Sequence, residues 1–273
     1  MQLQNTSDFI TNWLKAYNLK AETKGFVIGI SGGIDSALTS TLAAQTGAEV
    51  LCVSMPIHQE ESQLKRANNH IEGLKSRFSN VRSLEVDLSA MYDGFLNTIP
   101  QIEKSEQRDL SLANSRARLR MTTLYYFAGI ESKLVLGTGN KVEDFGVGFY
   151  TKYGDGGVDL SPIADLVKSQ VFELADYIGV GEEILTAPPT DGLWGDDRTD
   201  EDQLGATYAE LEWAMGFPKG QSHQGLSKRQ QEVLGIYNRL NTANQHKMKP
   251  IPVCEIPEPY LIAYFPQPLE FLF

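Results

Sequence analysis

Cysteine is scarce in this 273-residue chain: Cys52 lies in the apolar run Leu51-Cys52-Val53 and Cys254 in a proline-rich tail. Two thiols so placed give neither metal-ligand spacing nor a disulfide framework, so both read as structural. Basic charge is also in deficit, with 24 Lys and Arg against 35 Asp and Glu and a net charge of −11. Such a chain has no electrostatic footprint for nucleic acid, and a polyanionic ligand must be held by a local cluster of cations. No apolar run approaches the roughly 20 residues that span a bilayer, and the polar N-terminus Met1 to Asp8 is unlike a secretory signal. These absences predict a soluble, cytoplasmic protein. Also missing are a Gly-Lys dipeptide, and with it a Walker A motif, and any G-x-G-x-x-G dinucleotide fingerprint. His58, His70 and His223 have no partners at metal or catalytic spacing, and no Ser-His-Asp or Cys-His arrangement is visible.

What is present is an alternation of short apolar runs and longer periodic ones. A hydrophobic content of 41% suffices for one large core, so a single domain over 1–273 is expected, with a proline-rich tail from about 250. Phe9, Ile10, Trp13, Leu14 and Tyr17 recur at helical spacing behind a cap at Ser7 or Asp8, which predicts an opening helix packed on the core. Gly25 to Ile30 reads as a strand that passes through a glycine-rich turn into a helix over Ala37 to Ala44. Strands over 50–55, 81–86 and 134–136 then alternate with helices over 60–78 and 110–129. This order predicts an α/β fold, a Rossmann-like parallel sheet flanked by helices, with ligands at the carboxyl ends of its strands. From Gly137 to Gly157 the period is lost in a loop rich in glycine, aromatic and charged residues. Helices are expected over 165–178, 202–215 and 227–242, and a long irregular stretch over 186–202 reads as a lid or a disordered loop. Six of the 12 prolines fall between Pro250 and Pro268, where they exclude a regular helix or a central strand.

The turn after the first strand reads Ser31-Gly32-Gly33-Ile34-Asp35-Ser36. A glycine-rich turn at a helix N-terminus points backbone N–H groups and the positive end of the helix dipole at one spot, which favours phosphate. Ser31 and Ser36 add hydroxyls. Asp35 is out of place in a phosphate cradle unless Mg²⁺ sits between carboxylate and phosphate. The pattern resembles the S-G-G-x-D-S loop of the N-type ATP pyrophosphatases, adenine nucleotide α-hydrolase-like enzymes that split ATP between its α- and β-phosphates.

The second half of the chain narrows the resemblance. Leu136-Gly137-Thr138-Gly139-Asn140-Lys141-Val142-Glu143 and Gly148-Phe149-Tyr150-Thr151-Lys152-Tyr153-Gly154-Asp155-Gly156-Gly157-Val158-Asp159 resemble the signature of the NAD synthetase family. Asn114-Ser115-Arg116-Ala117-Arg118-Leu119-Arg120-Met121 is similar to its N-x-x-A-R-x-R-M helix, and Ala164 to Val171 to its lysine helix. Thr190-Asp191-Gly192-Leu193-Trp194 stands where that family carries its ATP-covering loop. Asp200 to Gly205 and the pair His246-Lys247 match further segments, so the resemblance runs from about Phe9 to Pro252.

The resemblance implies ammonia-dependent amidation of deamido-NAD, by way of an acyl-adenylate, to give NAD, AMP and pyrophosphate. It implies that Gly29, Ile30, Ser31, Gly32, Gly33, Ile34, Asp35, Ser36, Arg120, Thr138, Lys168 and Thr190 bind ATP. Asp35 and Glu143 would hold Mg²⁺, and Lys168 would meet the phosphates. Asn114, Arg118, Lys152, Asp159, His246 and Lys247 would bind deamido-NAD. Asp155, in its glycine-rich loop, is a candidate base for ammonia, while Phe149, Tyr150 and Tyr153 could stack on a pyridine ring or fill core. Glu143 is followed by Asp144-Phe145-Gly146-Val147-Gly148, one residue longer than the family's commonest spacing, which leaves Asp144 as a rival metal ligand. About 25 residues precede the first strand, too few for a glutaminase domain, so free ammonia is the expected donor; a separate glutaminase chain stays open. The resemblance also implies a homodimer built on the helix 110–129, although the sequence alone also permits a monomer with that helix buried. The competing readings are a GMP synthetase-like amidating ligase, which gives no reason for the Lys152 to Asp159 run, and a non-catalytic nucleotide-binding module, which would not need Asp35, Glu143 and Lys168 together.

Overall fold

The computed structural model describes residues 1–59, 61–190, 199–218 and 220–261; the segment Asp191-Gly192-Leu193-Trp194 and the chain end from Ile262 lie outside them. Strands β1 (Gly25–Gly29), β2 (Glu49–Ser54), β3 (Val81–Glu85) and β4 (Leu134–Leu136) form a parallel sheet in the order β3-β2-β1-β4. In register, Phe26 faces Val50 on one side and Leu134 on the other. Helices α1 (Leu3–Lys20), α2 (Ile34–Gln45), α3 (Glu61–Arg77), α4 (Ser89–Thr98), α5 (Glu106–Glu131) and α6 (Lys168–Tyr177) accompany it. Beyond these come α7 (Glu182–Leu185), α8 (Asp200–Leu204), α9 (Tyr208–Gly216), α10 (Lys228–Ala243), α11 (Gln245–Met248) and α12 (Glu258–Leu261).

Alternate strand residues divide between two cores. Phe26, Ile28, Val50, Cys52 and Leu136 pack with residues of α1, α2, α3 and α6, whereas Val27, Leu51, Val53 and Val135 pack with Leu88, Tyr92 and Ala128 on the α4–α5 side. Burial on both faces is why these strands read as continuous apolar runs instead of alternating ones. A third cluster, including Val142, Val147, Leu204, Leu211 and Val233, gathers α8, α9 and α10 beside the carboxyl ends of the strands. No helix among the described residues is long and apolar enough to cross a membrane.

Three elements differ from the sequence expectation. Helix α1 starts at Leu3 and buries Ser7, Ile10, Thr11, Leu14 and Asn18, leaving Phe9, Trp13 and Tyr17 exposed. The hydroxyls of Ser7 and Thr11 can be buried because both donate to Gln45 Oε1, at 3.3 Å each. The helix expected over 202–215 is two helices, broken at Gly205 (φ +77°) and restarted by capping boxes at Thr199/Asp202 and Thr207/Glu210. The proline-rich tail admits one helical turn, α12, with Pro259 near its start, where the missing N–H costs nothing.

Candidate active site

Strand β1 has β2 on one side and β4 on the other, so the chain order reverses between β1 and β4, and a crevice opens beyond their carboxyl ends. The turn from Ser31 leaves β1 at this crevice and runs into α2, whose first N–H groups face it. The turn is fixed from within: Ser36 Oγ donates to Gly33 O (2.9 Å) and accepts from Ser31 N (3.3 Å), and Gly33 N donates to Ser31 Oγ (3.2 Å). Gly32 has φ +82°, and a Cβ there would stand 2.8 Å from Gln63 O of α3. Glycine is therefore required twice over, by conformation and by the crossing helix. The resulting cleft, of about 290 Å³, is lined by Gly29 to Ser36, Arg120, Thr138, Glu143, Asp155, Lys168 and Thr190 among others.

The opposite wall is a π-helical turn over Val142–Val147, closed at Gly148 (φ +66°), with Phe149 N donating to Glu143 O at 2.9 Å. The stretch from Glu143 to Gly148 is wound as this wider turn, a form concentrated at functional sites. Asn140, fully buried, holds it in place. Its Oδ1 accepts from Val142 N (3.1 Å) and Glu143 N (3.2 Å), while its Nδ2 donates to Asp35 Oδ1 (3.1 Å).

Between the two walls stands Lys168, the first residue of α6 and 3% exposed. Its Nζ donates to Asp35 Oδ2 at 2.6 Å and to Glu143 Oε1 at 3.0 Å. The ring of Tyr208 lies 4.7 Å from the same ammonium, and the Tyr208 hydroxyl donates to Glu143 Oε1 at 2.6 Å with Asp200 Oδ2 at 3.1 Å. Burial works against the charge of Lys168, but Asp35 and Glu143 outweigh it and hold the ammonium protonated. Burial pushes Asp35 above the ordinary carboxylate range; Glu143 adds to the rise and Lys168 opposes it. Among the described residues no three His, Cys, Asp or Glu side chains are arranged to hold a metal by themselves.

Asp144 lines the same cleft but is not among the carboxylates to which Lys168 donates. Its carboxylate lies over Gly139, where a Cβ would approach both oxygens to 2.2 Å, and burial together with Glu143, Asp155 and Asp35 pushes it up to about 8. Asp155 accepts from Thr151 N at 2.9 Å. It is open to the water of the cleft yet walled in by protein, and this burial pushes its carboxyl up to about 6, against the Thr151 N–H. Tyr150 borders the cleft beside these acids, Phe149 packs against the third cluster, and Tyr153 is half exposed.

The six residues expected on the second substrate do not line this cleft. Five of them surround the loop 148–152. Asn114 Oδ1 accepts from Thr151 Oγ1 (2.6 Å), Arg118 Nη2 donates to Lys152 O (3.3 Å), Lys152 Nζ donates to His246 O, and Lys247 Nζ donates to Gly148 O and Tyr150 O (2.8 Å each). Asp159 is tied elsewhere, accepting from Val135 N (2.8 Å) and Tyr125 OH (3.0 Å). The cleft also contains residues that sequence reasoning missed: Ser54 at the end of β2, Gln59 in the loop before α3, Gln63 and Arg66 on α3, and Asp200 near Tyr208. Arg120 donates to Met55 O (3.0 Å) and Gln59 Oε1 (2.9 Å), which joins one expected residue to a missed one.

Comparison with known proteins identifies the family to which the chain is similar. The profile of the family described as NAD synthase matches residues 6–251. The chain is 35% identical over 252 residues to the NH(3)-dependent NAD(+) synthetase of Carboxydothermus hydrogenoformans, covering 90% of this chain and 95% of that one. Among solved structures it is similar to the NMN synthetase of Francisella tularensis, with 32% identity, a TM-score of 0.79, and coverage of 94% and 99% of the two chains. The NH3-dependent NAD synthetase of Campylobacter jejuni, solved with a nitrate ion, shares the fold at 24% identity and a TM-score of 0.74, over 93% of this chain and all of that one.

Proposed function

The chain belongs to the NAD synthase family, and on that premise we propose that it makes NAD from deamido-NAD, ammonia and ATP through an acyl-adenylate. The observation that carries this reading is the meeting of the Ser31 to Ser36 turn with Asp35, Glu143 and Lys168 in one cleft. A carboxylate is a poor acyl donor, and adenylation supplies a leaving group. One carboxylate oxygen of the substrate attacks the α-phosphate of ATP and pyrophosphate departs; ammonia then attacks the acyl carbon and AMP departs. Turn N–H groups, the Ser31 and Ser36 hydroxyls and Lys168 face the charge that grows on the departing phosphates.

Two carboxylates that already share one cation, with room for phosphate oxygens, are a donor set suited to Mg²⁺, which keeps few protein ligands when nucleotide supplies the rest. When bound, the ion would offset charge on the triphosphate. Lys168, relieved of the carboxylates, would then be able to turn its ammonium to the phosphates. Asp155 takes the proton that ammonia loses on attack, being ionised at neutral pH and bordering the cleft near Tyr150. Arg118, Lys152, His246 and Lys247 form the cationic rim toward the dinucleotide, with Asn114 and Asp159 as polar partners. A single synthetase unit working in the cytoplasm fits these roles, and a homodimer is supported by α5, which exposes Leu110, Tyr125, Tyr126 and Ile130 and buries few residues.

A second reading, amidation of the mononucleotide instead of the dinucleotide, is favoured by the likeness to the Francisella tularensis protein. Incubation with ATP, Mg²⁺ and ammonium, and with deamido-NAD or nicotinate mononucleotide in parallel, separates them by mass spectrometry. The proposal expects NAD, AMP and pyrophosphate, with the dinucleotide used in preference. Absence of NAD above an enzyme-free control refutes it, and preferential formation of NMN transfers the assignment to the second reading.

A further inference from the structure

A second cation lines the cleft from α3, beside the phosphate turn. Arg66, midway along α3, lines the cleft, and its Nε is shut off from water without meeting an acceptor. No hydrogen bond or ion pair of its guanidinium occurs among the described residues. Other arginines are differently placed: Arg77 donates to Ile178 O and Gly179 O, Arg82 pairs with Glu131, Arg118 donates to Lys152 O, and Arg229 forks onto Glu210. A second polar group lining the same cleft is also unmet. Ser54, the last residue of β2, is 2% exposed, lines the same cleft, and its hydroxyl has no partner. Buried polar groups are nearly always satisfied, so an unmet guanidinium nitrogen and an unmet hydroxyl lining one cleft mark groups that await a ligand.

The position of Arg66 says which part of a ligand it meets. Helix α3 crosses directly over the phosphate turn, so that a Cβ on Gly32 would lie 2.8 Å from Gln63 O, 3.1 Å from Ala67 N and 3.4 Å from Arg66 Cβ. The guanidinium is therefore rooted against the N–H groups that cradle phosphate. Its planar fork matches phosphate oxygens two at a time, which an ammonium cannot do. Charge balance points the same way. Lys168 is shared between two carboxylates, so that cluster carries a net negative charge before nucleotide arrives, and the phosphates need a cation not already committed.

We propose that Arg66, together with the Ser54 hydroxyl of the same cleft, binds the pyrophosphate half of ATP and retains that grip on the departing pyrophosphate. This rests on the reading that ATP lies along the Ser31 to Ser36 turn. Arg66 is then a specificity-determining residue for the triphosphate end, acting from α3 while Lys168 acts from α6.

Calorimetric titration of the full chain in Mg²⁺ with pyrophosphate, α,β-methylene ATP and AMP tests the assignment, in wild type, Arg66→Met, Arg66→Lys and Ser54→Ala. Loss of charge-assisted bonds predicts that Arg66→Met weakens pyrophosphate and the ATP analogue about 10- to 100-fold while AMP changes less than about 2-fold. Arg66→Lys, which keeps stem and charge and so preserves the fold, loses a smaller factor, and Ser54→Ala a smaller one still. A merely structural arginine would lower Tm and weaken all three ligands together. Equal losses for AMP and pyrophosphate, or wild-type pyrophosphate affinity in both Arg66 variants, overturn the proposal. Failure of the wild-type protein to bind pyrophosphate or the ATP analogue would instead defeat the functional reading beneath it.

Discussion

Replacing Lys168 by Met isolates the electrostatics of the site. The lysine side chain is 4% exposed and its ammonium lies 2.6 Å from Asp35 and 3.0 Å from Glu143, whose side chains are 18% and 15% exposed. Removing one partner of a buried ion pair costs roughly 3–5 kcal/mol, because the remaining charge is left without compensation. Here two carboxylates are left, but both keep some contact with water and one can take up a proton, so we expect the lower end, about 3 kcal/mol. At about 2–4 °C per kcal/mol for a chain of this size, Tm should fall by roughly 6–12 °C in metal-free buffer. Millimolar Mg²⁺ should return most of that loss in the variant, since two bare carboxylates then share a cation, and should move wild type much less, since Lys168 already serves the pair. Scanning calorimetry of both proteins, with Mg²⁺ and with chelator, reads the difference. A variant as stable as wild type without metal, or an equal Mg²⁺ effect on both proteins, would refute the reasoning.

The remaining predictions concern neighbouring residues. Asp155 must be ionised to accept a proton, and its carboxyl stands at about 6, so turnover plotted against free ammonia should fall as pH drops through 6. Asp155→Asn should be slow at every pH, and an unchanged acid limb in that variant would sink the assignment. The folded value lies above the ordinary one of 3.8, so ionising Asp155 lowers stability as pH rises between the two; Asp155→Asn should therefore raise Tm well above pH 6 and leave it unmoved near pH 3. Gly32→Ala forces φ +82° on a residue whose Cβ meets Gln63 O at 2.8 Å, which should cost about 1–3 kcal/mol and raise KM for ATP, both checked by calorimetry and kinetics. Tyr208→Phe keeps the ring beside Lys168 but frees Glu143 from its donor, and should raise the half-saturating Mg²⁺ concentration roughly 10- to 100-fold, as loss of an orienting partner does. An unchanged Mg²⁺ titration in Tyr208→Phe would show that the hydroxyl does not orient Glu143.

Much of the fold was legible because its signals are local. The apolar runs at 25–30, 50–55 and 134–136 correspond to β1, β2 and β4, since strands buried on both faces need uninterrupted apolar sequence, whereas the edge strand β3, which carries Arg82, Ser83 and Glu85, is largely open to solvent. The Ser31 to Ser36 turn was legible for the same reason, its chemistry lying in six consecutive residues. Harder to read was α1, where polar Ser7 and Thr11 are buried because Gln45, far along the chain, accepts their hydroxyl protons. The split of α8 from α9 at Gly205 was hidden by a continuous helical period. At the site, the meeting of Asp35, Glu143 and Lys168 followed from motifs, whereas Asn140, Tyr208 and Arg66 had no sequence signal for their roles. Each acts through a contact made by distant elements: Asn140 joins the π-turn to α2, Tyr208 reaches Glu143 from α9, and Arg66 reaches the phosphate turn only because α3 crosses Gly32. The π-turn over Val142–Val147 had no local sequence signal of its own.

The central claim is that ATP activates a substrate carboxylate as an acyl-adenylate. Deamido-NAD labelled with ¹⁸O in its nicotinate carboxylate tests it most directly, because the oxygen that attacks the α-phosphate leaves with AMP when ammonia displaces it. One labelled oxygen in AMP, none in pyrophosphate, and NAD carrying one labelled oxygen in its amide is the result expected. Label appearing in pyrophosphate or inorganic phosphate, or unlabelled AMP formed alongside NAD, would contradict the account.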